Sequence, residues 1–405
     1  MTRTEQPTGS RTAPRGRVLI SGASIAGPAL AFWLNRYGYA VTVVEKAAAI
    51  RSGGYPIDVR GTALHVVEKM GILPRLRDAH IDLRRITFLE ENGDEVTSLH
   101  PHAVTGGVAG RDLEVRRGDL TDALYTAVRD DVEFLFNDSI DTLHTSEDGV
   151  EVVFQSGGSR TFDLVFGADG MHSRTREMVF GPEDRFHRDL GYCFAIFTMR
   201  NTLGLSHETV MWNSPGRAAA VYAVGDDDEV HAFLNFAPSE LPPDIFGNPE
   251  SQRKLLVSTF ADAGWEIPGI LKALRASDDI FFDTVGQIHM PLWSNGRVAV
   301  LGDAAYAPSF LTGQGTSLAL VGSYMLAGSL VGRDHAAGFA AYERATRDFV
   351  TLNQNLVGEG GATLFPTTQQ ALEQRNERLR KLTAMPVAEP RPAHSALVLP
   401  DFGDL

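Results

Sequence analysis

Near the N-terminus, Gly22-Ala23-Ser24-Ile25-Ala26-Gly27 forms a short segment of mostly small residues. Backbone N–H groups at a helix N-terminus, aided by the helix dipole, hold a phosphate simply, and glycines let the backbone approach it. Ser24 replaces the middle glycine of the usual G-x-G-x-x-G pattern, but its small hydroxyl can itself donate to phosphate. Glu45, followed by Lys46, stands about 20 residues beyond the turn, where a carboxylate accepts hydrogen bonds from a ribose diol. A solvated strand-end carboxylate would read the same way. These residues describe a dinucleotide site and leave NAD and FAD both open. No H-E-x-x-H and no G-x-S-x-G occurs, and the 12 histidines are scattered, so neither a metal centre nor a nucleophilic triad is indicated.

A site of this kind needs a strand, a turn and a helix to hold it. Arg17-Val18-Leu19-Ile20 is a short apolar run that predicts a buried strand. Apolar spacing at Ala29, Leu30, Phe32, Trp33 and Leu34 predicts a helix from Pro28 to Tyr37. Pro28 suits its first turn and Gly38 its C-terminal cap. A second strand from Ala40 to Val44 ends at Glu45, completing a βαβ unit with parallel strands. The same texture returns at Asp163 to Phe166, running into Gly167-Ala168-Asp169-Gly170, and at Gly296 to Leu301, running into Gly302-Asp303. A long small-residue helix is expected from Gly313-Gln314-Gly315 to about Leu330.

Between these pieces the pattern changes. Tyr192 to Arg200, Glu208 to Trp212, Arg217 to Val224 and Val230 to Phe236 read as antiparallel strands, with helices at Pro249 to Ala263 and Pro268 to Ala276. Asn92-Gly93 and Gly157-Gly158 mark hairpin turns, a helix is expected at Gly118 to Arg129, and helical patterns cover 335–357 and 367–382. The expected fold is α/β: a Rossmann-like βαβ domain, an inserted and mostly antiparallel β-sheet domain, and C-terminal helices. The expected division assigns 14–79, 106–185 and 286–334 to the dinucleotide domain and 80–105 and 186–285 to the inserted domain. Helices then fill 335–385, between a disordered tail at 1–13 and an irregular one at 386–405.

The 405 residues suit two domains, and 43% hydrophobic with 22% charged residues is ordinary for a soluble globular protein. A net charge of −14 repels phosphate backbones and anionic lipid, so no nucleic acid and no membrane partner is expected. The single cysteine, Cys193, excludes an internal disulfide and cysteine-rich metal sites, and suits a reducing compartment and a buried position. Residues 1–13 lack the apolar run of a signal peptide, and no apolar stretch reaches membrane-spanning length. A cytoplasmic protein is expected, as a monomer or homodimer.

Three further segments carry a resemblance. Asp163-Leu164-Val165-Phe166-Gly167-Ala168-Asp169-Gly170-Met171-His172-Ser173-Arg174-Thr175-Arg176 resembles the DG motif of the flavin-dependent aromatic hydroxylases. Gly302-Asp303-Ala304-Ala305-Tyr306-Ala307-Pro308, with Gly313-Gln314-Gly315, resembles their GD motif and flavin-facing loop. Arg117-Gly118-Asp119-Leu120 resembles their flavin-binding arginine segment. With the first turn, the motifs keep the family's order over about residues 15 to 350, and the compact length resembles its tetracycline-inactivating and polyketide-tailoring branch.

The resemblance implies FAD as cofactor, held by Gly22, Ser24, Ile25, Ala26, Gly27, Glu45, Lys46, Arg51, Gly54, Asp58, Arg117, Asp169, Gly302, Asp303, Pro308, Gly313, Gly315 and Thr316. Asp303 would bind the ribityl chain, or cap a helix. Asp169 would serve FAD and NADPH-related functions, or cap the helix Ser173 to Phe180. Arg116 is an alternative to Arg117. Tyr306 stands where many members have histidine, and no chemistry is assigned to it.

NADPH or NADH is implied as transient reductant, O2 as co-substrate, and an aromatic or polyketide small molecule as the substrate, oxygenated through a flavin C4a-hydroperoxide. Phe194, Phe197, Met211, Trp212, Tyr222, Phe233 and Phe236 are candidates for the substrate wall, though such residues also pack sheets against helices. His231 lies where the tetracycline-inactivating branch has a substrate-contacting histidine. A flavin oxidase or dehydrogenase, a Baeyer–Villiger oxygenase, or a non-catalytic flavin- or polyketide-binding protein would carry the same cofactor motifs.

Overall fold

The computed structural model describes residues 14–50, 54–108, 110–381 and 391–403. Arg51 and the 1–13 segment lie outside the described residues.

A six-stranded sheet runs in the order Ser294–Asn295, Val298–Val300, Leu164–Gly167, Arg17–Ser21, Ala40–Glu45, Glu133–Phe136. Its strands are parallel except for the short edge pair Ser294–Asn295 with Val298–Val300. The expected βαβ unit is present, with the helix at Ala26–Arg36 and Pro28 in its first turn. Gly22 has φ +104°, and an added Cβ would lie 2.5 Å from the Ala168 carbonyl oxygen. At Gly27 an added Cβ would lie 1.9 Å from the Gly22 carbonyl oxygen. Only glycine lets this turn close and the helix approach the strand. The helix packs against Gly315–Ser329, which is buried along almost its whole length and apolar on every side.

A seven-stranded sheet follows the order Phe281–Ile288, His187–Arg200, Glu229–Phe236, Arg217–Ala223, Glu208–Ser214, Arg85–Leu89, Glu95–Leu99. All its pairs are antiparallel except Glu208–Ser214 with Arg85–Leu89. One face packs on the helices Pro249–Thr259 and Ile267–Ala276 through Cys193, Phe197, Trp212, Leu234 and Phe236. The other face turns toward the glycine turns. A ribbon of Pro56–Val59 with Leu113–Arg116 lies between the two.

The fold is the expected α/β arrangement, with informative differences of detail. The strand expected from Tyr192 begins at His187, because a register shift between Asp189 and Tyr192 carries Gly191 at φ +80°. The helical pattern over 335–357 resolves into His335–Gln354 and Val357–Leu364. The second helix bears on the loop Phe310–Thr312, where a Cβ on Gly360 would sit 2.1 Å from the Leu311 carbonyl oxygen. The last described stretch is irregular but docked: Thr62 donates to the Leu397 carbonyl (2.7 Å) and Tyr324 to that of Pro400 (2.7 Å). Among the described residues, no helix is long and apolar enough to cross a membrane.

Candidate active site

The first glycine turn and Glu45 are joined directly. One Glu45 carboxylate oxygen accepts the Ala23 N–H (2.8 Å) and the other the Ala47 N–H (2.9 Å). The carboxylate is therefore fixed over the turn, with lone pairs left for a diol. Lys46 is exposed beside it, Ile25 occupies the N-cap position and Ala26 begins the helix.

Arg117 opens the helix Arg117–Thr126 and reaches across to donate to the Ser24 hydroxyl (2.7 Å). Its backbone N–H bonds the Tyr55 carbonyl (3.2 Å), and Gly54, at φ +95°, lies against its side chain. Arg116 points the other way and pairs with Asp227 (2.6 Å). Arg117, not Arg116, is thus the arginine beside the glycine turn.

Asp303 is the first residue of the short helix Asp303–Tyr306 and makes no cap, so the capping alternative is not realised. Its side chain is exposed, yet burial pushes its pKa up, with Arg117 opposing. A carboxylate surrounded by protein atoms but open to solvent sits in a recess of the surface. Tyr55 shows the same combination: burial raises its pKa, Arg117 lowers it, and Asp303 and Asp283 add to the rise.

The segment Ala307 to Gln314 leads from the Asp303 helix to Gly313 and Gly315, which lie beside Asp58 and Asp303. Pro308 is buried and its carbonyl accepts from Gln287 (2.9 Å). Ser309 holds φ +73° without being glycine, a strained conformation that the surrounding packing maintains. Gly313 has φ +65°, and an added Cβ would meet Asp58 Oδ2 at 3.0 Å. A Cβ on Gly315 would stand 3.7 Å from Asp303 Oδ1, and Thr316 is buried in the first turn of the long helix. Gln314 is fully buried, and its Oε1 has no partner.

The DG segment is held by its own side chains. Asp169 accepts from the Ser173 hydroxyl and from both the N–H and hydroxyl of Thr175 (3.0 Å each). Both carboxylate oxygens serve this capping network. Arg176, fully buried, donates to the Ala304 carbonyl (3.1 Å), the Met171 carbonyl (2.6 Å) and Glu183, tying the DG segment to the residue after Asp303.

His172, which sequence reasoning left unused, lies between Glu183 (2.8 Å) and Asp283 (3.1 Å). Hydrogen bonds to Asp283 and Glu183 raise its pKa to about 10, keeping it an imidazolium at neutral pH. Tyr306 points into the core and bonds Tyr342 (2.9 Å), consistent with its lack of a chemical role. Cys193 is buried, and burial pushes its thiol up to about 12.

The inward face of the seven-stranded sheet is organised in rows by its register. Thr209, Tyr222, His231 and Thr198 are cross-strand neighbours and form a polar row. Met211, Ala220, Phe233, Ile196 and Phe281 form the next, apolar row. Asn213, Ala218, Asn235, Phe194 and Asp283 form the third. Phe194 meets Phe310 of the glycine-loop segment at 4.8 Å between ring centres.

Of the wall candidates, Phe194, Met211, Tyr222 and Phe233 therefore share the face opposite the helix-packed one, where Met211, Tyr222 and Phe233 pack with Ile86, Phe88 and Leu379, and Phe194 lies against the cluster of Leu311 and Phe365. Phe197, Trp212 and Phe236 point into the opposite, helix-packed core, because side chains alternate between faces along a strand. Burial and the nearby Arg116 lower the pKa of His231, so it is neutral at physiological pH.

These residues fit FAD on structural grounds. A fixed Glu45 and the helix N-terminus suit ribose and pyrophosphate, and Arg117 supplies a cation beside them. The Asp303 carboxylate supplies an acceptor for ribityl hydroxyls, and the Gly313–Gly315 loop allows close backbone approach to a planar ring.

Residues 15–221 match the family described as FAD binding domain. A flavin-dependent monooxygenase from an unknown prokaryotic organism is 38% identical over 367 residues, spanning 89% of this chain and 94% of its own. An uncharacterised Mycobacterium tuberculosis (strain ATCC 25618 / H37Rv) protein is 43% identical over 362 residues, spanning 88% of this chain and 96% of its own. Among solved structures, tetracycline destructase Tet(55) superposes with a TM-score of 0.82 at 34% identity, covering 97% of this chain and 99% of its own. The chain belongs to this family of FAD-binding, flavin-dependent monooxygenases and is an enzyme.

Proposed function

We propose that the enzyme is a single-component, NAD(P)H-consuming monooxygenase that hydroxylates an aromatic or polyketide-type small molecule. In this reading residues 14–79, 106–185 and 286–334 hold FAD, and 80–105 and 186–285 hold the substrate. The observation that carries the proposal is the row order of the inward sheet face. An apolar stripe from Met211 to Phe281, bordered by the polar row Thr209–Tyr222–His231–Thr198, suits a flat, largely apolar molecule with polar groups along one edge. The kinship with a protein named tetracycline destructase supports the same substrate class.

Bound FAD supplies hydride acceptance and oxygen activation. The chain's part is to bind and to shield. Arg117 and the glycine turn fix the phosphates, Asp303 orients the ribityl chain, and the loop through Gly313 excludes water from one side of the ring. His231, neutral and in the polar row, accepts or donates one hydrogen bond to the substrate. The test is anaerobic reduction of the FAD-loaded enzyme by NADPH, followed in the visible spectrum, with and without a panel of polycyclic phenols. Acceleration by a phenol is the expected result; failure of either pyridine nucleotide to reduce the flavin, with or without phenol, would move an oxidase or binding role ahead.

A further inference from the structure

The chain carries 51 acidic residues against 37 lysines and arginines, so cations that meet no carboxylate stand out in it. Two such cations lie on the helix Gln369–Arg380. Its last turn carries Arg378 and Arg380, and its C-cap is Lys381. Arg380 is paired with Glu90 and Lys381 with Glu377 (3.0 Å). Arg378 instead donates to the Thr363 hydroxyl (3.1 Å), and among the described residues it has no carboxylate partner. Arg375, one turn earlier, is 2% exposed. It donates to the carbonyl of the same Thr363 (3.4 Å) and to Asn213 Oδ1 (3.0 Å), and its guanidinium lies 5.1 Å from the centre of the Phe88 ring. None of these partners is a carboxylate, and its Nε has no partner. Burial, with Arg378 adding to it, lowers its pKa to about 10, which leaves it charged at neutral pH. Two like charges thus converge on one threonine. Their mutual repulsion turns into a shared attraction when an anion lies beside them.

Thr363 and Arg378 line a cavity of about 460 Å³ between the helices Pro101–Thr105, Val357–Leu364 and Gln369–Arg380. Val104, Ala362 and Leu379 give it apolar walls, and Arg391, which donates to the Val104 carbonyl (3.4 Å), is a second lining cation. No described lining residue is acidic. Arg378 and Ala362 are exposed, so the cavity is open to solvent. Its volume falls within the range of small-ligand pockets, about 300–1,000 Å³. Apolar walls disfavour a fully hydrated inorganic anion and favour a ring, while a guanidinium matches a carboxylate in geometry as well as charge.

We propose that this cavity binds a small organic anion of the aromatic carboxylate class, with Arg378 as the partner of its carboxylate. The ring lies against Val104, Ala362 and Leu379, and the Thr363 hydroxyl is free to turn its proton toward the ligand. Arg375, being buried, contributes its field rather than a contact. None of the described lining residues belongs to the FAD-holding set, so the site goes beyond the hydroxylase reading. The two are neighbours through one helix: Val357–Leu364 offers Ala362 to the cavity, while its Gly360 bears on the Leu311 carbonyl of the segment that leads to Gly313.

The experiment is isothermal titration of the FAD-loaded enzyme with 2-naphthoate and with 2-naphthamide, its neutral counterpart of the same shape, in the absence of NADPH. The wild type is expected to bind 2-naphthoate on the order of tenfold more tightly than 2-naphthamide, and the margin should shrink as salt is added. Arg378→Gln should remove the margin and leave 2-naphthamide binding as it was. Ala362→Trp, which fills the cavity from an exposed position, should abolish this binding of both ligands with FAD affinity unchanged, and so locates the site. Equal affinities of the wild type for the two ligands overturn the proposal. So does an undiminished margin in Arg378→Gln, or 2-naphthoate binding that is the same in Ala362→Trp as in the wild type. Binding is read without turnover, so flavin reduction indifferent to every phenol would count against the hydroxylase reading alone.

Discussion

Replacing Arg176 by Met removes a fully buried guanidinium that joins three structures: the Met171 carbonyl, the Ala304 carbonyl and the Glu183 carboxylate. Met fills most of the stem volume, so cavity formation is minor. The cost comes from the polar groups left behind. Each orphaned carbonyl costs about 1–3 kcal/mol when buried, and breaking a buried ion pair from one side costs about 3–5 kcal/mol. Glu183 is a third exposed and keeps His172, which limits its share. The sum expected is about 3 kcal/mol. Because Ala304 follows Asp303, FAD affinity should fall as well, on the order of tenfold or about 1.4 kcal/mol. Urea unfolding of the FAD-loaded enzyme, with FAD affinity measured by flavin fluorescence, checks both. A loss below about 1 kcal/mol with unchanged FAD affinity would refute the idea that Arg176 couples the two loops.

Gly360→Ala places a Cβ against the Leu311 carbonyl, a backbone atom that cannot swing away. Overpacking of this kind costs about 1–3 kcal/mol, and the displaced Phe310–Thr312 loop should slow flavin reduction; stopped-flow and thermal unfolding measure the two effects. For His172 the folded pKa is raised, so its contribution to stability is complete below the ordinary histidine value of about 6.5 and is lost as pH rises through about 10. Because its side chain is 53% exposed, solvent screening limits this to about 1 kcal/mol. His172→Gln should therefore be less stable than wild type at acid and neutral pH and equal to it at the alkaline end, as read from urea midpoints across pH. Cys193 should resist thiol reagents in the folded enzyme and react on unfolding, since burial holds it as a neutral thiol.

What was legible in the sequence followed from backbone chemistry. The turn at Gly22 and Gly27 requires glycine because carbonyl oxygens occupy the space of a Cβ, and such a requirement leaves a local signature. The same holds for Gly313, where backbone and Asp58 meet. Contacts between distant segments leave no such mark. His172 and Asp283 are 111 positions apart, and each reads alone as an ordinary polar residue. The strands bearing Asp58 and Glu114 are four residues each, too short for periodicity to announce them. The choice between Phe194 and Phe197 was hidden for another reason. Both faces of that sheet are covered, so the alternation of side chains does not appear as an alternation of polarity.

The proposed activity is insertion of an atom of molecular oxygen into an aromatic or polyketide-type substrate. The most direct test is turnover with NADPH and a phenol that accelerates flavin reduction, under O2 enriched in the heavy oxygen isotope, with the products analysed by mass spectrometry. The account predicts one labelled oxygen in each hydroxylated product and NADPH consumed in equal amount. Unlabelled substrate recovered intact, with hydrogen peroxide accounting for all NADPH consumed, would contradict it.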